Sequence, residues 1–239
     1  MQFLKHHLIS YFCIVLAAVT AAVLGAEFYL AVPSMVSSAD PSPVIVIDAG
    51  HGGEDGGAAV SGIREADLNL QIAGRVHTLL CLLGQNSVML RTEDRSLHSE
   101  EAVTLTQKKA SDLRNRAEAV NSLYRPVLIS IHQNMFAETK YHGAQIFYAP
   151  TDRSEEFAQD MQELLRIKLD TENHRQCKPA ESVYLMNHVN CPAILIECGF
   201  MSNQEERNKL CSAEYQKQLS LVISAGSLDY LRKVITDEV

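Results

Sequence analysis

The stretch that decides the fold is VIVIDAGHGG, residues 44–53. Its first five residues form a short, mostly apolar run between Pro43 and Gly50, which is typical of a strand buried on both faces. Such strands occur mainly in parallel sheets that helices cover on both sides. The run ends in glycines around a single histidine, His51, and glycine permits tight turns. The strand is therefore predicted to lead directly into a close-fitting loop.

Strand-like and helix-like segments alternate outward from this strand. Apolar residues recur every three or four positions from Leu68 and predict a helix over residues 65–83, ended by Gly84. Alternation of this kind predicts one α/β domain with a mainly parallel sheet and helices on both faces. The other predicted strands are residues 87–90, 127–132, 144–148 and 193–197, and the other helices lie near 113–121, 157–165 (with Ser154 as its N-cap) and 219–231.

Polar residues stand where the buried strands end. His51 follows the first strand, and His132 and Glu197 close the segments 127–132 and 193–197. Parallel strands bring their carboxyl ends to one edge of the sheet, where α/β proteins bind ligands. Glu65 opens the helix that follows the first strand, so it starts near the same edge. Two imidazoles and a carboxylate with an open fourth position are typical of a catalytic zinc site.

Each of these signals also has a simpler interpretation. The glycine-rich loop could cradle a phosphate, but it lacks the Gly-Lys-Ser/Thr of a P-loop and carries Glu54 and Asp55, which repel anions. His132 alone fits a hydrogen-bonded core histidine equally well, and Glu65 alone fits an acid favoured at a helix N-terminus. Glu197 is harder to explain structurally, because an unpaired carboxylate in a buried strand costs several kcal/mol.

The composition excludes several classes of protein. The chain has 239 residues, with 21 basic and 29 acidic side chains, a formal charge of −8 and no long basic run, so no nucleic acid partner is expected. Hydrophobic residues make up 46%, which indicates a packed domain rather than a disordered chain. The six cysteines include no Cys-x-x-Cys pair, which argues against a zinc ribbon. We expect mostly small buried thiols, with one disulfide left open.

The first 43 residues differ from the rest. Lys5 and two histidines precede an uncharged run over residues 8–26, and about 20 apolar residues suffice to cross a membrane as a helix. The positive end is expected to stay in the cytoplasm. Residues 1–33 are therefore predicted to be an apolar membrane-anchor helix, or alternatively a cleaved signal sequence, and residues 34–43 a linker. In either case the following domain is extracytoplasmic, membrane-anchored or secreted.

Four motifs together resemble those of the zinc-dependent N-acetylmuramoyl-L-alanine amidases of the type 3 family. They are VIVIDAGHGGEDGG, Glu65 with DLNL, SIHQN and ILIECGFMSN. The resemblance implies a catalytic domain over residues 44–235, with a twisted sheet of about six strands. It also implies one Zn²⁺ per chain, bound by His51, Glu65 and His132, with Glu197 as the catalytic carboxylate. The implied reaction cleaves the amide between N-acetylmuramic acid and L-alanine of the peptidoglycan stem peptide.

Within that family the expected anchor and the stretch NHRQCK at residues 173–178 resemble short amidases that prepare muramic-δ-lactam in the spore cortex. Cleavage of the vegetative wall, another zinc peptidoglycan hydrolase such as a carboxypeptidase or deacetylase, and a non-catalytic wall-binding protein remain alternatives. Asn134, Arg175 and Lys178 are expected to contact substrate, the two cations through stem-peptide carboxylates, with solvated surface as the alternative. Some relatives need an accessory lipoprotein, and no motif decides whether this chain does.

Overall fold

A six-stranded sheet organises residues 43–237, the part of the chain that the computed structural model describes. All neighbouring strands pair in parallel except β6 and β8, which are antiparallel. A separate hairpin of β2 (Ala59–Val60) and β3 (Ile63–Arg64) lies in the loop after the first strand. In spatial order the strands of the sheet are β4 (Ser87–Met89), β1 (Val44–Ala49), β5 (Pro126–Asn134), β8 (Ala193–Phe200), β6 (Gln145–Tyr148) and β7 (Lys178–Pro179).

Helices cover both faces of the sheet, as predicted. One apolar core lies between the sheet and α1, α3 and α6, and a second lies between the sheet and α2 and α4. The bounds are α1 (Glu65–Leu82), α2 (Leu105–Asn121), α3 (Ser154–Leu169), α4 (Tyr184–His188), α5 (Gln204–Cys211) and α6 (Ala213–Asp237). The prediction of one α/β domain with a mainly parallel sheet is confirmed.

Three helix starts differ from the prediction, one of them that of α6, which begins at Ala213 rather than near residue 219. α2 begins eight residues earlier than expected, because Thr104 and Gln107 form a reciprocal capping box. Ser154 is not the N-cap of α3 but its first residue; Arg153 occupies the cap position in a left-handed conformation. The Ser154 hydroxyl instead accepts a hydrogen bond from the Ala193 amide at 2.9 Å and so ties α3 to β8.

Two strands run further than predicted. β5 continues past His132 to Asn134, and β8 continues past Glu197 to Phe200. The register between these strands shifts after His132, so a bulge re-aims the end of β5 at the point where polar side chains begin. His132 and Glu197 therefore lie inside paired backbone rather than at free strand ends, which holds both firmly.

The predicted anchor or signal sequence at 1–33 and the linker at 34–43 lie outside the described residues, apart from Pro43. Within residues 43–237, no helix is both long enough and apolar enough to cross a membrane. The cysteines at 81, 177, 191, 198 and 211 are free thiols, and Cys191 and Cys198 are buried.

Candidate metal centre

His51, Glu65 and His132 come together at the carboxyl end of β1 and β5. His51 lies in the loop just after β1, Glu65 is the first residue of α1, and His132 lies near the end of β5. One ligand atom from each residue can be chosen so that all three lie within 4.8 Å of one another. The predicted triad is therefore assembled from three separate segments of the chain.

The Glu65 carboxylate lies at the centre of this group. Its Oε1 atom lies 3.2 Å from His51 Nε2 and 3.0 Å from His132 Nδ1, and its Oε2 accepts a hydrogen bond from the Ala58 amide at 2.9 Å. Burial alone would raise the pKa of Glu65, but the hydrogen bonds and charges of the two histidines hold it well below its usual range. Glu65 is therefore an anionic carboxylate aimed at two imidazoles.

Two glycines leave room for the triad. A Cβ atom on Gly50 would lie 2.2 Å from Cε1 and Nε2 of His132, and one on Gly57 would lie 2.6 Å from Glu65 Oε2. Gly57 also has a φ of +66°, which favours glycine. The glycine-rich loop is thus needed for close approach to the triad.

Asp55 orients His51 from the side opposite Glu65. Its Oδ2 lies 3.0 Å from His51 Nδ1, which leaves His51 Nε2 directed at Glu65. The loop closes on itself, because Gly52 and Asp55 exchange two backbone hydrogen bonds. Carboxylates that bind the remote nitrogen of a ligating histidine typically fix its ring orientation.

Glu197 lies directly opposite His132 on β5 and opposite Gln145 on β6. Residues paired in this way project to the same face of the sheet. The Glu197 Oε2 atom is buried, and no described residue donates a hydrogen bond to it. Burial raises the pKa of Glu197 to about 7, against a lowering by His132 and with a further rise from Glu65. A carboxyl group that titrates near neutrality is suited to accept and release a proton.

Arg175 lies next to Gln145, the residue of β6 that pairs with Glu197. Its Nη1 donates to Gln145 Oε1 at 3.2 Å and its Nε donates to the His142 carbonyl at 2.7 Å. Its guanidinium carbon lies 4.5 Å from the centre of the Phe200 ring. Burial lowers the pKa of Arg175, and no described carboxylate forms an ion pair with it. The Glu206 carboxylate acts on it at longer range and opposes this lowering, so Arg175 is a held, partly buried cation with no direct ion pair among residues 43–237.

The other two predicted substrate contacts are placed differently. Asn134 ends β5, two residues after His132, and its carbonyl accepts a hydrogen bond from the Met201 amide at 2.8 Å. Lys178 is exposed on the edge strand β7, and β6 separates it from the strand that carries Glu197. The structure therefore places Asn134 on the same strand as His132 and Lys178 at the margin of the sheet.

The donor set fits zinc. Two imidazoles and one carboxylate are nitrogen and oxygen ligands that Zn²⁺ prefers, and three protein ligands leave a position for water or substrate. The group is half-buried, with both histidine side chains 20% exposed, so that position can be reached from solvent.

A family model described as N-acetylmuramoyl-L-alanine amidase matches residues 45–227, a span that contains the triad and Glu197. The chain belongs to the N-acetylmuramoyl-L-alanine amidase family. The enzyme class expected from the four motifs is thereby confirmed.

Relatives of this amidase are known in sequence and in structure. The germination-specific N-acetylmuramoyl-L-alanine amidase of Bacillus subtilis is 37% identical over 188 residues, which are 78% of this chain and 79% of the relative. The CwlD amidase from Clostridioides difficile, solved in complex with the GerS lipoprotein, matches with a TM-score of 0.76 at 37% identity and covers 79% of this chain and 98% of its own. An amidase from Clostridium difficile 630 matches with a TM-score of 0.70 at 31% identity, over 81% and 98% of the two chains.

Sequence reasoning missed the arginine that supports the triad of this amidase. Arg116 on α2 is 2% exposed, pairs with the buried Asp48 of β1, and donates to the His51 carbonyl at 2.9 Å. His51 has a φ of 60°, uncommon for a residue other than glycine, and this bond helps to hold it there. Asp48 was the available signal, because a carboxylate in a buried strand requires a partner.

Arg91, to which the sequence analysis gave no role, supports the same loop from the other side. It is 1% exposed and donates to the carbonyls of Ala49, Gly50 and Ala66 at 2.8 to 3.0 Å. These carbonyls belong to the end of β1 and the first turn of α1. Arg91 therefore holds the segment before His51 against the helix that carries Glu65.

Proposed function

We propose that this amidase is zinc-dependent and cleaves the bond between the lactyl group of N-acetylmuramic acid and the L-alanine of the stem peptide. His51, Glu65 and His132 hold the metal, and Glu197 moves the proton. The observation that carries this proposal is the convergence of three ligand atoms within 4.8 Å beside a buried carboxyl oxygen that has no described partner.

The chain's own groups divide the work between binding and proton transfer. When bound, zinc supplies a Lewis acid that polarises the amide carbonyl and acidifies water. Glu197 accepts a proton from the attacking water and delivers it to the departing nitrogen of L-alanine. Asp55 and Arg116 keep His51 in place, from its ring nitrogen and its carbonyl respectively. Three ligands are already assigned, so Glu197 is assigned beside the metal rather than on it.

Arg175 and Asn134 are proposed to bind the substrate. Arg175 is supported more strongly than Lys178, because it donates a hydrogen bond to Gln145, the residue that pairs with Glu197, and forms no direct ion pair among residues 43–237. A guanidinium group binds a carboxylate through two parallel hydrogen bonds, which suits the stem peptide. Lys178 remains a weaker proposal at the edge of the sheet.

Digestion of purified peptidoglycan tests the reaction. The full-length protein loaded with zinc is expected to release intact stem peptides that begin with L-alanine, detected by mass spectrometry. Release of a terminal D-amino acid or of acetate identifies a carboxypeptidase or a deacetylase instead. Binding without any release indicates a wall-binding protein.

The proposed setting is the spore cortex, on the outer side of a membrane. The germination-specific enzyme of Bacillus subtilis and the CwlD amidase support this setting, and the apolar residues 8–26 support export. Deletion of the gene in the native host is expected to remove muramic-δ-lactam from cortex muropeptides and to leave the vegetative wall unchanged. A changed vegetative wall with normal cortex favours a role in cell separation.

An accessory lipoprotein is a further proposed partner. The complex of the CwlD amidase with the GerS lipoprotein supports it. Affinity purification of the tagged full-length chain from sporulating cells is expected to recover one lipoprotein in stoichiometric amount. Full zinc loading and full turnover of the chain purified alone argue against an obligatory partner.

A further inference from the structure

We propose that the substrate binds in one orientation. Its stem peptide lies over Glu197 and extends toward Arg175, and its sugar lies over His51 and enters a cleft beside α2. This proposal rests on the amidase reaction given above. It adds the orientation of the substrate and a sugar-binding subsite.

The path of the proton fixes which end of the amide lies where. Hydrolysis joins the water oxygen to the carbonyl carbon and breaks the carbon–nitrogen bond, and the proton accepted by Glu197 goes to the departing nitrogen. That nitrogen begins the peptide and must lie within hydrogen-bond reach of Glu197. Along the sheet the order is β1, β5, β8, β6, so the triad, Glu197 and Gln145 follow one another in a row. The peptide therefore continues toward β6, and the acyl side with its sugar extends toward β1.

The peptide side of this row carries a guanidinium group, Arg175, that forms no direct ion pair among the described residues. Arg175 lines a cleft of 260 Å³ whose other charged side chains are Glu172 and Lys140, and Lys140 is paired with Glu138. No described residue accepts a hydrogen bond from Arg175 Nη2, whereas its Nε and Nη1 are both used to hold the side chain in place. Stem peptides carry free carboxylates, and a guanidinium group held in this way binds them without further ordering.

The opposite side is electrically balanced. A cleft of 190 Å³ lies between the His51 loop and the start of α2, lined in part by Glu54, Asp55 and Leu105. Lys108 forms an ion pair with Glu54, and Lys109 lies 3.4 Å from Asp55. The muramic acid sugar is uncharged here, because its lactyl carboxyl is part of the amide.

The chemistry of this second cleft suits a pyranose. Leu105 is 70% exposed and offers an apolar surface to the C–H face of a ring, and the paired charges offer hydrogen bonds to hydroxyl and N-acetyl groups. Asp55 contacts His51, so the cleft directly adjoins the triad. The reverse orientation would place the stem carboxylates in a cleft whose lysines are already paired with Glu54 and Asp55, and so away from Arg175.

Synthetic substrates with two independent changes test the orientation. The full-length enzyme is assayed on N-acetylmuramoyl-peptides whose stem carboxylates are free or amidated, each as a monosaccharide and as a disaccharide. Arg175→Gln is expected to lower kcat/KM about 10- to 100-fold on free-carboxylate substrates and to have little effect on amidated ones. Arg175→Lys is expected to restore part of the preference for free carboxylates.

The sugar subsite has its own variant. Leu105→Asn is expected to lower kcat/KM about 3- to 10-fold on disaccharide substrates and to leave the preference for free carboxylates intact. Matched surface changes, Arg166→Gln on α3 and Leu83→Asn after α1, are expected to alter neither preference.

Three results overturn the orientation. They are an equal loss on free and amidated stems in Arg175→Gln, a loss of carboxylate preference in Leu105→Asn, and an unchanged wild-type preference in both variants. If Arg175→Gln fails to fold, the peptide side is tested by inhibition of the wild-type enzyme with stem peptides whose carboxylates are free or amidated. The free form is expected to inhibit more strongly, and equal inhibition contradicts the role of Arg175. A wild-type enzyme that releases no stem peptide from any substrate refutes the proposed function itself; an active enzyme without these preferences refutes only the orientation.

Discussion

Replacing Gly50 by alanine is expected to disable the triad without destroying the fold. The added Cβ atom would lie 2.2 Å from the His132 ring, whereas ordinary contacts begin at 3.4 Å. The Gly50 backbone cannot retreat easily, because its amide donates to the Ile131 carbonyl at 3.0 Å and its carbonyl accepts from Arg91 and Asn69, each at 3.0 Å. The imidazole must therefore withdraw by more than 1 Å.

A displacement of this size has consequences for metal binding, activity and stability. His132 Nδ1 lies 3.0 Å from Glu65 Oε1, and a shift of more than 1 Å far exceeds the tolerance of about 0.2 Å in a metal–ligand distance. Misplacing a reacting group by about 1 Å costs roughly 100-fold in rate, and overpacking costs about 1–3 kcal/mol of unfolding free energy. We expect weaker zinc retention, about 100-fold lower turnover and a cooperative urea transition at lower denaturant.

Gly74 provides the matched control. It lies inside α1, and a Cβ atom there would meet nothing within 4 Å. Gly74→Ala is expected to stabilise the protein by about 0.5–1 kcal/mol and to keep zinc and activity. Zinc content by atomic emission, turnover and urea unfolding are measured on both variants. Full zinc retention and normal turnover in Gly50→Ala would refute the assigned role of His132.

Four further predictions concern the two glutamates, the stability and the pH dependence of the buried ion pair, and the N-terminus. Glu197→Gln is expected to keep zinc and to lose turnover by about 10²–10⁴-fold, whereas Glu65→Gln is expected to lose the metal. Both variants are measured for bound zinc and for release of stem peptides. A metal-free Glu197→Gln beside a zinc-loaded Glu65→Gln would show that the two roles are reversed. Arg116→Met leaves Asp48 buried and unpaired and is expected to cost about 3–5 kcal/mol in urea unfolding; a loss below 1 kcal/mol contradicts this. Burial raises the pKa of Asp48, but Arg116 and the Ser130 hydroxyl hold it below its usual value. The ion pair therefore stabilises the folded state above about pH 4, and this stabilisation is lost as the pH falls through the lowered pKa. In urea unfolding at a series of pH values, Asp48→Asn is expected to reduce the fall in unfolding free energy on the acid side. Edman sequencing of the protein from its host is expected to find an intact start, and a mature start near Glu27 would show a signal peptide instead.

The positions of the site residues could be predicted because they depend on local pattern and on one rule of topology. The apolar run before His51 marks a buried strand, and parallel strands place the residues at their carboxyl ends along one edge of the sheet. The same reasoning placed His132 and Glu197, which pair directly across β5 and β8. Glu65 was placed by the start of a periodic helix, and α1 does begin at that residue.

The supporting contacts could not be predicted, because they join residues far apart in sequence. Arg116 is 68 residues from Asp48, and nothing in the pattern of α2 distinguishes it from the other arginine of that helix, Arg114. The antiparallel direction of β6 was also out of reach, and it is this pairing that sets Gln145 beside Glu197 and brings Arg175 to the site. The ends of β5 and β8 were predicted too early for a related reason, because the register shift after His132 leaves no signal in the sequence periodicity.

The most direct test of the account is the zinc content of the full-length protein and two variants after dialysis against a weak chelator. The wild-type protein and Glu197→Gln are expected to retain one zinc per chain, because Glu197 is proposed to act beside the metal rather than as a ligand. The double variant His51→Ala, His132→Ala keeps only one of the three proposed ligands and is expected to retain none. Stoichiometric zinc in that double variant would contradict the proposed metal centre.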